Sequence, residues 1–409
     1  MSAQTLIAVV LLLGGAILDV PVAVVLGTVA LILELVRLVW RRWGLAGVRY
    51  RRVLARPAAN WGEEIALTIE IWNRKRLPLA WLRADDTASD GITVRETDLV
   101  AGEDPVTVNL RNTWTLAPFE RVGRRFHVTG DRRGVFELGP VDLAVGDLFG
   151  REAAAQEEAS IDRFLVRPRI VAAKSPAFER VDGLHRTAAG LSEDPSRFAG
   201  VREYAPGDPL RRIHPRTSAR VGQPMVKRFE PSTEREVLLA VDIQTEGNRG
   251  WSSSSVDDEV EAVYVAAASL GHALAADRIA TGFAACGYSG SPRPIAYLPV
   301  SAAPGQAQRI VDLIARLSST PSAPFERLLP FLAGVSRPGT TVVVLTTRDP
   351  GPYIRHLRSL RRRGRSVVVL GHGDRAEDIA RIARQAGLTA RGLRLDAAWR
   401  TAERLVVVA

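Results

Sequence analysis

The run Val237-Leu238-Leu239-Ala240-Val241-Asp242 sets five apolar residues against a closing acid. A continuous apolar run of this length suits a strand buried on both faces of a parallel sheet, because a half-exposed strand would alternate. Working outward, residues 257–278 place Val260, Val263, Ala267, Leu270 and Leu274 at helical spacings. Strands are predicted over 281–288, 294–300, 341–345, 366–370 and 393–396. Helices are predicted over 306–317, 325–333, 352–363 and 374–386, the third of them basic. Alternating strands and helices predict a doubly wound α/β domain over 236–409. Ligands of such sheets bind at the carboxyl ends of the strands, so Asp242 is the first residue to inspect.

Several chemistries lack their residues. No G-x-G-x-x-G follows the first strand and no G-x-x-x-x-G-K-[ST] occurs, which argues against a nucleotide. Gly287-Tyr288-Ser289-Gly290-Ser291 lacks the second glycine that a nucleophile elbow needs, and reads as a turn. The single cysteine, Cys286, excludes an intramolecular disulfide, a cysteine-based zinc site and a CxxC centre. The six histidines form no HExxH pair. With no nucleophile–base pair and no cofactor motif, the chain reads as a binding protein rather than an enzyme.

Upstream the periodicity changes. Ile65, Leu67, Ile69 and Ile71 alternate along one face, and similar short runs recur at 106–110, 125–128, 135–143 and 164–166. Short strands separated by turn signals predict an antiparallel β-sandwich over 45–170. Asp85-Asp86 reads as a solvated turn. Between the domains, 171–235 is polar and rich in arginine. Pro206-Gly207 predicts a turn, with Asp208 as helix N-cap and a short helix through Ile213 that ends before Pro215. Arg202, Glu203, Asp208, Arg212, Arg220 and Glu230 interleave charges of both signs. Two readings stand: buried guanidinium–carboxylate pairs that hold the segment down, or a surface for docking a partner.

The amino-terminal end is apolar from Thr5 to Trp40 apart from a few positions, among them Asp19, Glu34 and Arg37. One membrane span needs about 20 residues, and Asp19-Val20-Pro21 at the midpoint suits a turn. A transmembrane helical hairpin over 1–44 is therefore predicted, with helices over about 2–20 and 22–40. Trp40 and Trp43 fit an interfacial belt. Arg37, Arg41, Arg42, Arg49, Arg51, Arg52 and Arg56 fit the cytoplasmic side, which puts the bulk of the chain in the cytoplasm at the inner membrane. That block accounts for part of the net charge of +10 in 409 residues. No aromatic-plus-basic module accompanies it, so nucleic acid is not expected.

The central motif runs through Gly200, Arg202, Tyr204, Gly207, Asp208, Arg212, Ser218-Ala219-Arg220, Lys227 and Phe229-Glu230. This ordered spacing resembles the bacterial "domain of unknown function 58" family. Asn73 with Leu77-Pro78-Leu79, Arg133-Gly134-Val135-Phe136 with Leu138-Gly139-Pro140, and Asp147-Leu148-Phe149-Gly150 resemble its β-domain. Pro215 departs from the family, which usually carries tryptophan there. The resemblance implies a membrane hairpin, an immunoglobulin-like β-domain, the motif and a von Willebrand factor A-like domain. It also implies a role as accessory partner of a MoxR-type AAA+ ATPase.

A-like domains can hold magnesium through an Asp-x-Ser-x-Ser loop, a threonine and a further acid. Here the loop reads Asp242-Ile243-Gln244-Thr245-Glu246, with Thr320 and Asp349 at the remaining positions and Arg348 beside the last acid. Gln244 and Glu246 are longer than serine, and an arginine repels a cation. The expectation is no metal and no cofactor, with Arg348 pairing Asp242 or Glu246. A metal-dependent ligand-binding domain is the alternative, and an enzyme of envelope metabolism a weaker one.

Overall fold

The computed structural model describes residues 3–96, 98–102, 107–147, 150–173, 193–205, 212–231, 236–245 and 254–408. They divide into two compact units, Met1–Val166 and Arg167–Ala409.

The first unit opens with two apolar helices, α1 (Ala3–Ile17) and α2 (Pro21–Trp43). Asp19 takes φ +52° in the connection, a conformation aspartate tolerates better than bulkier residues. The helices meet closely because glycines line the seam: a Cβ on Gly27 would lie 2.5 Å from the Leu12 nitrogen, and one on Gly15 2.7 Å from the Ala23 Cβ. Arg37 donates to Gln4 Oε1 at 2.7 Å across the pair. α2, at 23 residues, is long and apolar enough to cross a membrane, whereas α1 has 15. Two full spans of about equal length are therefore not what forms. Trp40 also departs from expectation, since it is buried rather than open to an interface.

The strands of this unit are β1 (Val48–Leu54), β2 (Ala58–Asn60), β3 (Ile65–Asn73), β4 (Leu79–Ser89), β5 (Ile92–Arg95), β6 (Asp98–Ala101), β7 (Thr107–Leu116), β8 (Arg121–Gly130), β9 (Gly134–Gly146), β10 (Glu152–Glu158) and β11 (Asp162–Arg167). They form two antiparallel sheets, ordered β1-β3-β8-β5 and β2-β11-β9-β4-β7-β6, with β10 on β9. Inward residues of both sheets share one hydrophobic cluster: Ile65, Leu67, Ile69 and Ile71 from the first, and Leu82, Trp114, Leu138 and Phe164 from the second.

Asp85 and Asp86 are not in a turn but in the middle of β4. Asp86 is buried and accepts from Tyr50 Oη at 2.6 Å and from the Arg52 guanidinium, which also reaches Asp162 at 2.9 Å. Burial lifts the Asp86 carboxyl to about 6 against the pull of Arg52. No local pattern announces this pairing, because Arg52 is 34 residues away within a run of arginines.

The second unit begins with a two-residue strand, β12 (Ala172–Ala173), and a ribbon of β13 (Glu193–Glu203) with β14 (Met225–Pro231). α3 (Pro215–Val221) lies between the ribbon strands. The helix expected to stop before Pro215 falls mostly outside the described residues. What the structure has is a helix that starts there, with Pro215 at its first position and His214 Nδ1 accepting from the Thr217 N–H. Proline suits that position because the first-turn N–H has no partner to lose.

An eight-stranded sheet follows, in the order β12-β21-β20-β19-β18-β15-β16-β17. Its remaining members are β15 (Glu236–Val241), β16 (Ala280–Ala285), β17 (Ala296–Ser301), β18 (Thr341–Thr346), β19 (Ser366–His372), β20 (Thr389–Leu395) and β21 (Arg404–Val408). The five strands β16, β15, β18, β19 and β20 run parallel, β17 is an antiparallel edge, and β21 runs antiparallel to β20 with the short β12 parallel on its outer side. The helices are α4 (Ser254–Ala276), α5 (Gln306–Arg316), α6 (Leu328–Val335), α7 (Ile354–Arg362) and α8 (Ala376–Gln385). Leu238, Ala240, Val342 and Val344 share a cluster with Leu332, Leu357 and Ile379 of α6, α7 and α8. Leu239 faces the other way, near Gly271 of α4, which also approaches Ile310 of α5. Both faces are thus covered, which is why these strands read as unbroken apolar runs.

Candidate functional site at the carboxyl edge of the sheet

The strand order places β15, the first strand of the parallel set, between β16 and β18. From β15 the chain moves to β16 and β17 on one side and then crosses back to β18 on the other, so the direction of winding switches between β15 and β18, where such sheets open a crevice. Asp242 directly follows β15 there and Thr346 ends β18.

Asp242 is buried, and all its acceptor capacity is directed inward. Its Oδ1 accepts from the Gln244 N–H at 3.1 Å. Its Oδ2 accepts from Arg348 Nε at 2.8 Å and from the Thr346 hydroxyl at 3.2 Å. The Tyr353 hydroxyl in turn donates to Thr346 Oγ1 at 3.0 Å. Arg348 Nη2 donates to Gln244 Oε1 at 3.0 Å and to Glu326 Oε1 at 3.2 Å. The guanidinium lies 5.1 Å from the centre of the Tyr353 ring. Gln244 Oε1 also accepts from the Phe325 N–H at 2.9 Å, tying the loop after β15 to the segment before α6.

Three oxygens from two segments, the loop after β15 and the turn before α6, therefore converge on one guanidinium. Burial pushes the Asp242 carboxyl up to about 6, opposed by Arg348, the Gln244 N–H and the Thr346 hydroxyl. Burial and the Asp242 and Glu326 charges push the Cys286 thiol up to about 11, so it is a packing residue and not a nucleophile. Beside the pair lies a cleft of about 830 Å³ walled by Gln244, Thr245, Thr320, Arg348 and Asp349 with several prolines. Thr245 Oγ1 is buried there without a hydrogen-bond partner.

The residues singled out from sequence are placed as follows. Asp242, Gln244, Thr320 and Asp349 come together at this edge, and Glu246 lies outside the described residues. The Asp349 carboxylate accepts from the Gly351 N–H at 2.8 Å. A divalent ion does not fit this donor set. Arg348 stands where a cation would contact Asp242, and Gln244 Oε1 already serves two donors. In the motif segment, Gly207 and Asp208 lie outside the described residues. Arg202, Glu203 and Arg220 are exposed, Tyr204 and Arg212 half-buried. Arg202 donates to the Glu203 carbonyl and Glu203 accepts from Gln223 Nε2 at 2.8 Å. The Ser218 hydroxyl accepts from the Met225 N–H at 2.8 Å and so holds α3 to β14. Arg202, Glu203 and Arg220 thus stand open to solvent, while their expected partner Asp208 lies outside the described residues. Sequence reasoning missed Glu326, Thr346 and Tyr353. None carries a spacing signal, because they reach Arg348 from three elements.

A family described as "Protein of unknown function DUF58" matches residues 200–377. The chain is similar to the "Uncharacterized protein YeaD" of Bacillus subtilis, with 26% identity over 237 residues. That match covers 57% of this chain and 54% of the relative, so the chain spans about half the length of the curated relative it matches. Among solved structures, a cohesin module of a Clostridium perfringens family 33 glycoside hydrolase shares 10% identity at TM-score 0.21, covering 29% of this chain and 96% of that one. Salmonella alpha-2-macroglobulin shares 19% at TM-score 0.21, covering 32% of this chain and 7% of that one. Likeness at that level carries no argument about fold or function.

Proposed function

The chain belongs to the DUF58 family, and from that premise we propose a membrane-anchored interaction protein that works by binding rather than by catalysis. On this reading the first unit is an immunoglobulin-like β-sandwich on a membrane-inserted helical hairpin. The sheet of the second unit is a von Willebrand factor A-like domain facing the cytoplasm. Its carboxyl edge takes a protein partner, for which a MoxR-type AAA+ ATPase is the candidate.

One observation supports this most: the crevice at the switch point holds Arg348 in ion pairs with Asp242 and Glu326. A rigid, internally neutralised wall beside an open cleft suits recognition. Apolar side chains along both helices of the hairpin face outward, among them Leu6, Val10, Leu13, Val25, Val29 and Leu35, which supports the anchor. The test is affinity purification of the tagged full chain from membranes. A MoxR-type ATPase should be captured, and Thr320→Tyr, which fills the cleft without touching the Asp242–Arg348 pair, should lose it at unchanged melting temperature. Capture unaffected by Thr320→Tyr overturns the site, and material without such an ATPase overturns the partner.

A further inference from the structure

Some arginines of the second unit have an acid beside them. Arg381 pairs Asp378 at 2.6 Å, Arg400 pairs Asp258 at 3.0 Å and Arg167 pairs Asp312 at 2.6 Å. The basic helix α7 and its carboxyl-terminal turn are different. Arg355, Arg358, Arg361, Arg362 and Arg363 are all exposed, and no acid occurs between Pro350 and Gly373. Among the described residues none of the five has a carboxylate partner. Arg358 donates to the Ala386 carbonyl at 3.0 and 2.8 Å and Arg361 to that of Gly387, which fixes their stems but leaves their charge uncompensated.

We propose that this arginine face of α7 is a docking surface for the anionic headgroups of a phospholipid bilayer. Leu357 and Leu360 of the same helix are buried in the core, so the helix does not insert and the contact is electrostatic. No exposed aromatic side chain interleaves with the arginines, and Tyr353 is buried, so the stacking platform of a nucleic-acid site is missing. The choice of a lipid surface rests on the membrane reading above: a chain tethered by α2 holds its arginines at high effective concentration near headgroups.

The test uses the full chain with a fluorophore on Gln385→Cys, an exposed position one residue before the carbonyl that Arg358 holds. Cys286 is buried and stays unlabelled. Energy transfer to a headgroup-linked acceptor is compared in vesicles of phosphatidylcholine alone and of phosphatidylcholine with phosphatidylglycerol. Transfer should rise with phosphatidylglycerol and fall at high salt, where screening shortens the reach of the charges. The rise should be lost in the triple variant Arg355→Gln, Arg362→Gln, Arg363→Gln and kept in the corresponding lysine triple. Among the described residues these three make no side-chain hydrogen bond, so folding should be unchanged. Transfer indifferent to lipid charge, or equal in the glutamine triple, overturns the proposal, as does charge-dependent binding of an RNA or an acidic protein without any response to vesicles. Flotation on phosphatidylcholine vesicles reads the anchor separately. A chain that fails to float there still has to respond to phosphatidylglycerol through the arginines, so the two readings fail independently.

Discussion

Arg348 is held by Asp242, Gln244 and Glu326 at once, and each of these loses a partner if it goes. Arg348→Ala leaves the Asp242 carboxylate buried without a counter-charge, and should cost on the order of 3–5 kcal/mol at neutral pH, read from urea unfolding. The pH dependence has a definite sign. The folded carboxyl titrates at about 6, above the roughly 3.9 of an unfolded aspartate. The folded state therefore binds the proton more tightly. The group's contribution is most favourable below the unfolded value and is lost as pH rises through about 6. Wild type should accordingly lose stability relative to Asp242→Asn between acidic and neutral pH, and an unchanging difference would contradict the assignment. The same seat bears on metals. Magnesium asks for compact oxygen ligands at about 2.0–2.1 Å, and a guanidinium stands in the way. Calorimetry with millimolar magnesium should give no binding heat, and an ordered ion on Asp242 in a crystal would put the metal-dependent reading first.

At the scale of elements, close approach rather than propensity decides the hairpin. Gly27 has the Leu12 backbone within 2.5 Å of where a Cβ would stand, so Gly27→Leu must push α1 off α2. A flexible bis-maleimide spanning the reach of the Gln4–Arg37 contact should join Gln4→Cys to Arg37→Cys in membranes of the otherwise unchanged chain and fail with Gly27→Leu. In the β unit, the Asn73 amide donates to the Leu77 and Ala117 carbonyls at 2.9 Å each, joining two turns. Asn73→Ala strands both carbonyls and should cost about 1–3 kcal/mol by the urea midpoint.

At the scale of the molecule, the expected topology has a direct check. A reporter fused after Ala409 should be active only in its cytoplasmic form, and periplasmic activity would reverse every partner argument. Removing residues 1–36 takes away most of the exposed apolar surface but leaves the buried Trp40 in place. The shortened chain should leave the membrane fraction, because each unit keeps its own hydrophobic core.

The alternation of buried strands and amphipathic helices from Val237 onward was legible in sequence, because strands covered on both faces must be continuously apolar and their helices must show one apolar stripe. The strand of Ile65 to Ile71 was legible for the complementary reason, since burial of one face alone makes apolar residues alternate, and the turn at Asp19 was legible too. The place of Asp242 at a strand's carboxyl end followed from residue order, and charge left Arg348 to pair Asp242 or Glu246, of which the structure shows the pair with Asp242. Tertiary structure alone decided the rest. Asp86 became a core residue only because Arg52 and Tyr50 on another strand neutralise and bond it. Glu326, Thr346 and Tyr353 joined the site only when three segments met. The ribbon of β13 and β14 pairs residues far apart in a polar stretch that carries no periodicity to announce it. Local pattern is set by which face meets water, but partners across the fold depend on strand order, and no stretch of neighbouring residues encodes that.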